Sequence, residues 1–468
     1  MRVLACILAL VVGLTPLPPA IASAADSGST GAGTTLVRPP FGHCMGINRA
    51  TPVHLFLYLG SRTSFDEPAG LAAVKLRSKD DPDTGRDDDE LTVFGLNSGR
   101  SEILYNTSLT NVEIFGGYGS GDGRFDHPLG IAADEWGGVV VADTGNDRIV
   151  RLRYIDDALR FTGTIETVAA GRSSLSSPSR VALGASGAVY VTDTGNDRLL
   201  AIDTAGAVTL ELLGDEASGA RLESPVGLAV VEDEDPWLDR RAGRIVIADR
   251  GGSRLLSFDT EGTLRNATEA GEGTVETARF DYLAIDYHGS VYATDTRASV
   301  IHKFDRHLRY VTSFGRPGTD GGGADRRGGG ARALDEPRGI AIWRRFGQVF
   351  ITERQGARYF WMGTEIRALS AESESFAPGR DPLRISYDLT EVSRVSVLLR
   401  DASGTTVHTL AEERRRAIGP NVERWNGILE DGRTLPPGEY TLVVTARPVY
   451  SSRAYFQDIA ELPLRVAR

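Results

Sequence analysis

The chain has 468 residues, more than one ordinary domain holds, and this predicts two. A formal net charge of −11 leaves no basic face to displace counterions from phosphates, which argues against nucleic acid as a partner. Its two cysteines are Cys6 and Cys44. With Cys6 inside a cleavable leader, no intrachain disulfide can form and a disulfide-stapled scaffold is excluded.

At the N-terminus, Arg2 precedes an apolar run over 3–14, a break at Pro16, Pro18 and Pro19, and then Ala22, Ser23 and Ala24. This is the pattern of a secretory signal, too short and too interrupted to span a membrane. It predicts a signal peptide over 1–25 and a mature protein that is secreted, periplasmic or at the cell envelope. Residues 26–40 are rich in Ser, Gly and Thr and are expected to form a flexible lead-in. Basic charge is almost all arginine, with lysine only at Lys75, Lys79 and Lys303, a bias that points to a GC-rich bacterial coding sequence.

A repeat then dominates the chain. Pro128, Leu129, Gly130, Ile131 and Ala132 are followed by Gly138 and by Asp143, Thr144, Gly145, Asn146, Asp147 and Arg148. Pro178 with Asp193, Thr194, Gly195, Asn196, Asp197 and Arg198 is a second clear copy. Weaker copies pair Pro225 with Asp249, Phe280 with Asp295, and Pro337 with Glu353; the most degraded, at Pro68, has Gly95 near the acid's position. Each copy holds short alternating runs of Val, Ile and Tyr between Gly, Asp and Asn turns. Units of roughly 40–60 residues with several strands read as propeller blades, because one small sheet cannot bury both faces alone and a ring can.

The expectation is therefore an all-β chain: a six-bladed β-propeller over 41–363, followed by an Ig-like β-sandwich over 364–468. The last copy supplies only three strands. The apolar run 53–59 is expected to be the N-terminal strand that completes the sixth blade and closes the ring. Beyond 363, strands around Leu383, Val395, Thr405 and Tyr440 are separated by turns at Gly404 and Pro436–Gly438, a spacing suited to a sandwich.

The order Pro-x-Gly-Ile-Ala, then Val-Tyr-Val-Ala-Asp-Thr-Gly-Asn-x-Arg, resembles the NHL-repeat family, whose repeats form six-bladed propellers. The C-terminal region resembles the immunoglobulin-like domain of flagellar hook-capping proteins. That likeness rests on Gly404, Gly419, Pro420, Asn421, Arg424, Trp425, Asn426, Gly427, Asp431, Gly432, Pro437 and Tyr440. It implies that Trp425 is the buried aromatic of the sandwich.

An acid that recurs in nearly every blade serves a need of every blade, so the repeated Asp is read as a turn acceptor and a partner for Arg148, Arg198 and Arg254. Binding is expected where loops do not repeat. In a four-stranded blade, the link entering strand one lies at the same end as the turn between strands two and three. That end gathers Asp66, Asp126, His127, Arg180 and Arg338 around the channel mouth, beside the Gly- and Arg-rich loop 316–332.

The opposite end carries insertions at 78–90, 156–162 and 232–239. In the first, Asp81, Asp83, Asp87 and Asp89 alternate around Gly85, loosely like a calcium loop. The leading expectation is a binding or scaffold protein for a protein, peptide or glycan at the envelope. The rival is a metal-assisted lyase or hydrolase at the channel mouth. Lyases among related propellers use several histidines on zinc, whereas here His43, His54, His127, His288, His302, His307 and His408 are scattered, with only His127 in an entry loop.

Overall fold

The computed structural model describes residues 35–37, 49–80, 91–108, 111–166, 174–215, 220–239, 242–274, 277–317, 333–372, 375–379, 382–450 and 457–467. Five four-stranded antiparallel sheets and a sixth, closed by N-terminal residues, form the propeller. Blade 1 contains Pro68–Lys75, Leu91–Asn97, Glu102–Ser108 and Asn111–Gly116. Blade 2 starts at Gly130–Ala133, blade 3 at Pro178–Leu183, blade 4 at Gly227–Val231, blade 5 at Leu283–Ile285 and blade 6 at Ile340–Trp343. These first strands touch one another in sequence, and the sixth returns to the first, so they line a central channel. Second strands such as Val189–Asp193 are buried at every residue, as a strand stacked between neighbouring blades requires.

The ring is not closed by 53–59. Leu36–Val37, which fall inside the expected lead-in, pair with Met362 and Trp361 on the third strand of blade 6. Arg49–Ala50 pair with Arg358 and Ala357 further along the same strand. Residues 53–59 belong instead to a helix, α1 (Pro52–Leu59). Thr51 caps it, its hydroxyl accepting the His54 N–H, Pro52 supplies a first-turn φ without a wasted donor, and Gly60 ends it at φ 62°. Leu55 and Leu59, four apart, pack one face of α1 against Val112 on the outer strand of blade 1.

Each residue of the repeated turn has a task in the ring. Asp143 accepts the Asp126 N–H on Oδ1 at 2.6 Å and takes Arg148 Nε and Asn146 Nδ2 on Oδ2 at 2.8 and 2.9 Å. Asp193 does the same for Ser176 and Arg198, Asp249 for Glu223 and Arg254, and Glu353 for Asp335 and Arg358. In blade 5, Asp295 accepts the Arg279 N–H and lies 3.5 Å from His302. In blade 1 the position belongs to Asn97 and not to Gly95: Asn97 accepts the Asp66 N–H at 2.7 Å and donates to Glu102. Next in the turn, Thr144, Thr194 and Thr296 donate to the carbonyls of Pro178, Pro225 and Pro337 in the following blade, at 2.8, 2.7 and 2.9 Å. Asp147 and Asp197 then accept the N–H groups of Ser177 and Ser224, again across a blade boundary.

The C-terminal region is an Ig-like sandwich. One sheet contains Ile366–Ala371, Leu383–Leu389 and Gly419–Trp425; the other is built on Ser393–Asp401, Gly438–Pro448 and Asp458–Val466. Alternate residues such as Ile385, Val397, Val444 and Leu464 fill the space between the sheets. Trp425 joins that core and donates Nε1 to the Ile428 carbonyl at 3.0 Å.

Candidate functional site

The two ends of the channel differ. At the end away from the repeated turns, the blade 4 insertion crosses towards blade 6, where Asp235 pairs with Arg344 and Trp237 packs against Arg345, which also lies over Phe346. The Ig-like domain packs at the same end. Tyr450 donates to the Arg344 carbonyl at 2.5 Å and its ring lies 5.5 Å from that of Tyr287. Lys303 of blade 5 meets Glu391 of the sandwich at 2.7 Å, and Arg415 meets Asp239 at 3.1 Å.

The other end is where the repeated turns lie. At the start of each first strand the ring is tight, and the second residue after the repeat's proline is Gly70, Gly130, Gly227 or Gly339. A Cβ on Gly130 would sit 2.8 Å from Arg180 Cα, and one on Gly70 2.8 Å from the Leu129 carbonyl oxygen. In blades 3 and 5 the equivalent residues are Arg180 and Tyr282. Those two side chains cross the channel to one another.

The Arg180 guanidinium lies 3.6 Å over the Tyr282 ring and donates to the carbonyls of Ser179 and Asp281 at 2.9 and 3.2 Å. Tyr282, 8% exposed, donates its hydroxyl to the Leu129 carbonyl in blade 2 at 3.2 Å. Burial pushes that hydroxyl above its ordinary pKa, against the opposing pull of Arg180 and Arg338, so it remains a donor. Three blades thus meet at one aromatic ring. Arg180 and Arg338 each keep a buried Nε without a hydrogen-bond partner among the described residues.

Of the residues expected at this mouth, Arg180 stacks on Tyr282, while Arg338 lies 3.8 Å from the Glu336 carboxylate and acts on the Tyr282 hydroxyl through its charge. Asp66 and Asp126 occupy equivalent repeat positions, their backbones held by Asn97 and Asp143 and approached by Gly99 and Gly145. His127 has φ 46°, matching Glu67, Ser177, Ser224 and Glu336 before the other prolines. Its half-exposed ring lies 3.8 Å from the Glu67 carboxylate. Sequence reading missed Tyr282, although the signal was present: it is one of two side chains where the repeat asks for glycine. Asp81, Asp83, Asp87 and Asp89 lie outside the described residues, as do Cys44 and most of the loop 316–332. Among the described residues, no three His, Cys, Asp or Glu side chains are grouped to hold a metal.

Residues 372–448 match the family model of the FlgD Ig-like domain. No curated protein matches the chain. Among solved structures, virginiamycin B lyase from Staphylococcus aureus is similar at 16% identity and a TM-score of 0.39, over 58% of this chain and 77% of that one. A gluconolactonase from Xanthomonas campestris is similar at 13% and 0.43, over 71% and 99%. PorZ, a surface component of the type-IX secretion system of Porphyromonas gingivalis, is similar at 11% and 0.40, over 85% of this chain and 51% of that one. Likenesses this distant carry no functional argument. The propeller stands on its own sheet order, and no helix among the described residues is long and apolar enough to cross a membrane.

Proposed function

We propose that this is an exported bacterial propeller of the NHL-repeat type that binds a protein, peptide or glycan at the cell envelope through the turn-bearing end of its channel. One observation carries the reading: the sandwich and the blade 4 insertion cover the other end, while the turn-bearing end presents the two side chains that replace the repeat's glycine, Arg180 and Tyr282, with Arg338 beside them. A channel spanned by Arg180 and Tyr282 suits contact across its mouth better than entry of a substrate into its depth. The sandwich then serves as spacer or anchor.

The test is binding of the full-length protein to peptide and glycan arrays. Ligands captured by the wild type are expected to be lost with Arg180→Ala and with Arg338→Ala, and kept with Arg77→Ala, whose side chain stacks on Trp136 at the far end. Capture undiminished by changes at Asp126, His127, Arg180 and Arg338 together means the wrong face was chosen. A stoichiometric transition metal in the purified protein moves the balance to the lyase or hydrolase alternative.

A further inference from the structure

We propose that the seam between the propeller and the Ig-like domain is a proton-dependent latch, in which Asp286 lies near the buried Lys303–Glu391 pair and the seam closes more tightly when Asp286 carries a proton. Three elements bring these groups together. Asp286 follows the first strand of blade 5, Lys303 lies on its third strand Val300–Phe304, and Glu391 sits in the sandwich turn between Leu383–Leu389 and Ser393–Asp401. The Lys303 and Glu391 side chains are 2% and 0% exposed and their charges are 2.7 Å apart. Asp286 is also fully buried; its Oδ1 accepts the Ser290 N–H at 2.8 Å, and its Oδ2 has no hydrogen-bond partner among the described residues.

The groups that face Asp286 come from every side. Its own blade contributes Lys303, His288 and Tyr292, and the sandwich contributes Glu391 and Tyr450. Blade 4 contributes Arg244, whose guanidinium is already committed to the carbonyls of Arg306 and Gly289. At the rim, Asp239 holds His288 at 3.2 Å and Arg415 at 3.1 Å. The ammonium of Lys303 is bonded to Glu391, so ionised Asp286 adds a second negative charge to a dry pocket.

Burial first, and then repulsion from Glu391, pushes the Asp286 carboxyl up to about 6. A folded-state value raised above the ordinary one, about 4, stabilises the closed state fully below that ordinary value. The contribution is lost as pH rises through about 6. Closure is therefore strongest in acid.

Hydrogen exchange in the full-length chain reads this at the Val449 amide, whose 3.0 Å bond to the Val392 carbonyl lies within the sandwich while its side chain packs against the propeller core. After correction for intrinsic exchange, its protection is expected to fall about tenfold between roughly pH 5 and pH 7, while the blade 2 amide of Val141 shows no such trend. Asp286→Asn should hold the acid level of protection throughout. Should that variant fail to fold, Glu391→Gln serves the same purpose, because removing the opposing charge leaves Lys303 to offset Asp286 alone and must shrink the dependence. A flat wild-type profile, or either variant keeping the wild-type slope, overturns the latch.

Discussion

Arg148 and Asp143 show what the repeated turn demands of single residues. Their side chains are 8% and 0% exposed, and burial alone drives the Asp143 carboxyl upward before its hydrogen bonds pull it back. Arg148→Ala leaves that carboxyl without its cation and is expected to cost about 3–5 kcal/mol, measured by denaturant unfolding. Blade 1 makes the opposite case. There Asn97 donates Nδ2 to Glu102 at 3.3 Å, so Asn97→Asp restores the consensus acid but sets two carboxylates against each other. The consensus change should destabilise by about 1–3 kcal/mol, and Glu102→Arg should recover the loss. Recovery failing in the double variant would show that the turn does not work as a pair. The Asp143–Arg148 pair was legible from its five-residue spacing, whereas Asn97 and Glu102, equally spaced, were missed because the degraded copy put Gly95 near the acid's position.

At the scale of elements, ring closure is the step where local sequence misled. A short apolar run has too few residues to show a period, and the missing strand of blade 6 made 53–59 an obvious candidate. Thr51 and Pro52 already carried the signature of a helix start, and the leucines at 55 and 59 suit one face of a helix. The strand came from Leu36–Val37, which a Ser- and Gly-rich setting disguised. A chain starting at Gly33 is expected to melt with the full-length protein, whereas one starting at Asn48 exposes the edge of Gly356–Met362 and should melt lower and aggregate. Helix α1 divides likewise. Leu55→Ala, 6% exposed and beside a cavity of about 100 Å³ between α1 and blades 1 and 6, should cost about 2–4 kcal/mol; Phe56→Ser, 63% exposed, should leave stability within about 0.5 kcal/mol.

At the scale of the molecule, propeller and sandwich share buried contacts, so they should unfold together. Lys303 is the one cation bonded to Glu391 within that seam among the described residues. Lys303→Met retains the length of the stem but strands two buried carboxylates. Calorimetry is expected to resolve the single wild-type transition into two, with the sandwich released first. A single transition at unchanged temperature would mean that the apolar contacts of Tyr450 hold the domains without it. The sandwich packs against the end of the channel away from the repeated turns, something no local pattern reports.

The sequence alone determined the blades and the sandwich, because their requirements are local: an acid with its Arg a few residues on, glycines where backbones crowd, and alternation along each strand. Tertiary structure decided what closes the ring, where the sandwich packs, and what meets at the turn-bearing mouth. Leu36 finds Met362, Arg180 reaches Asp281, and Tyr282 reaches Leu129. These contacts join residues far apart in the chain, and each is fixed only when six blades have packed into a ring.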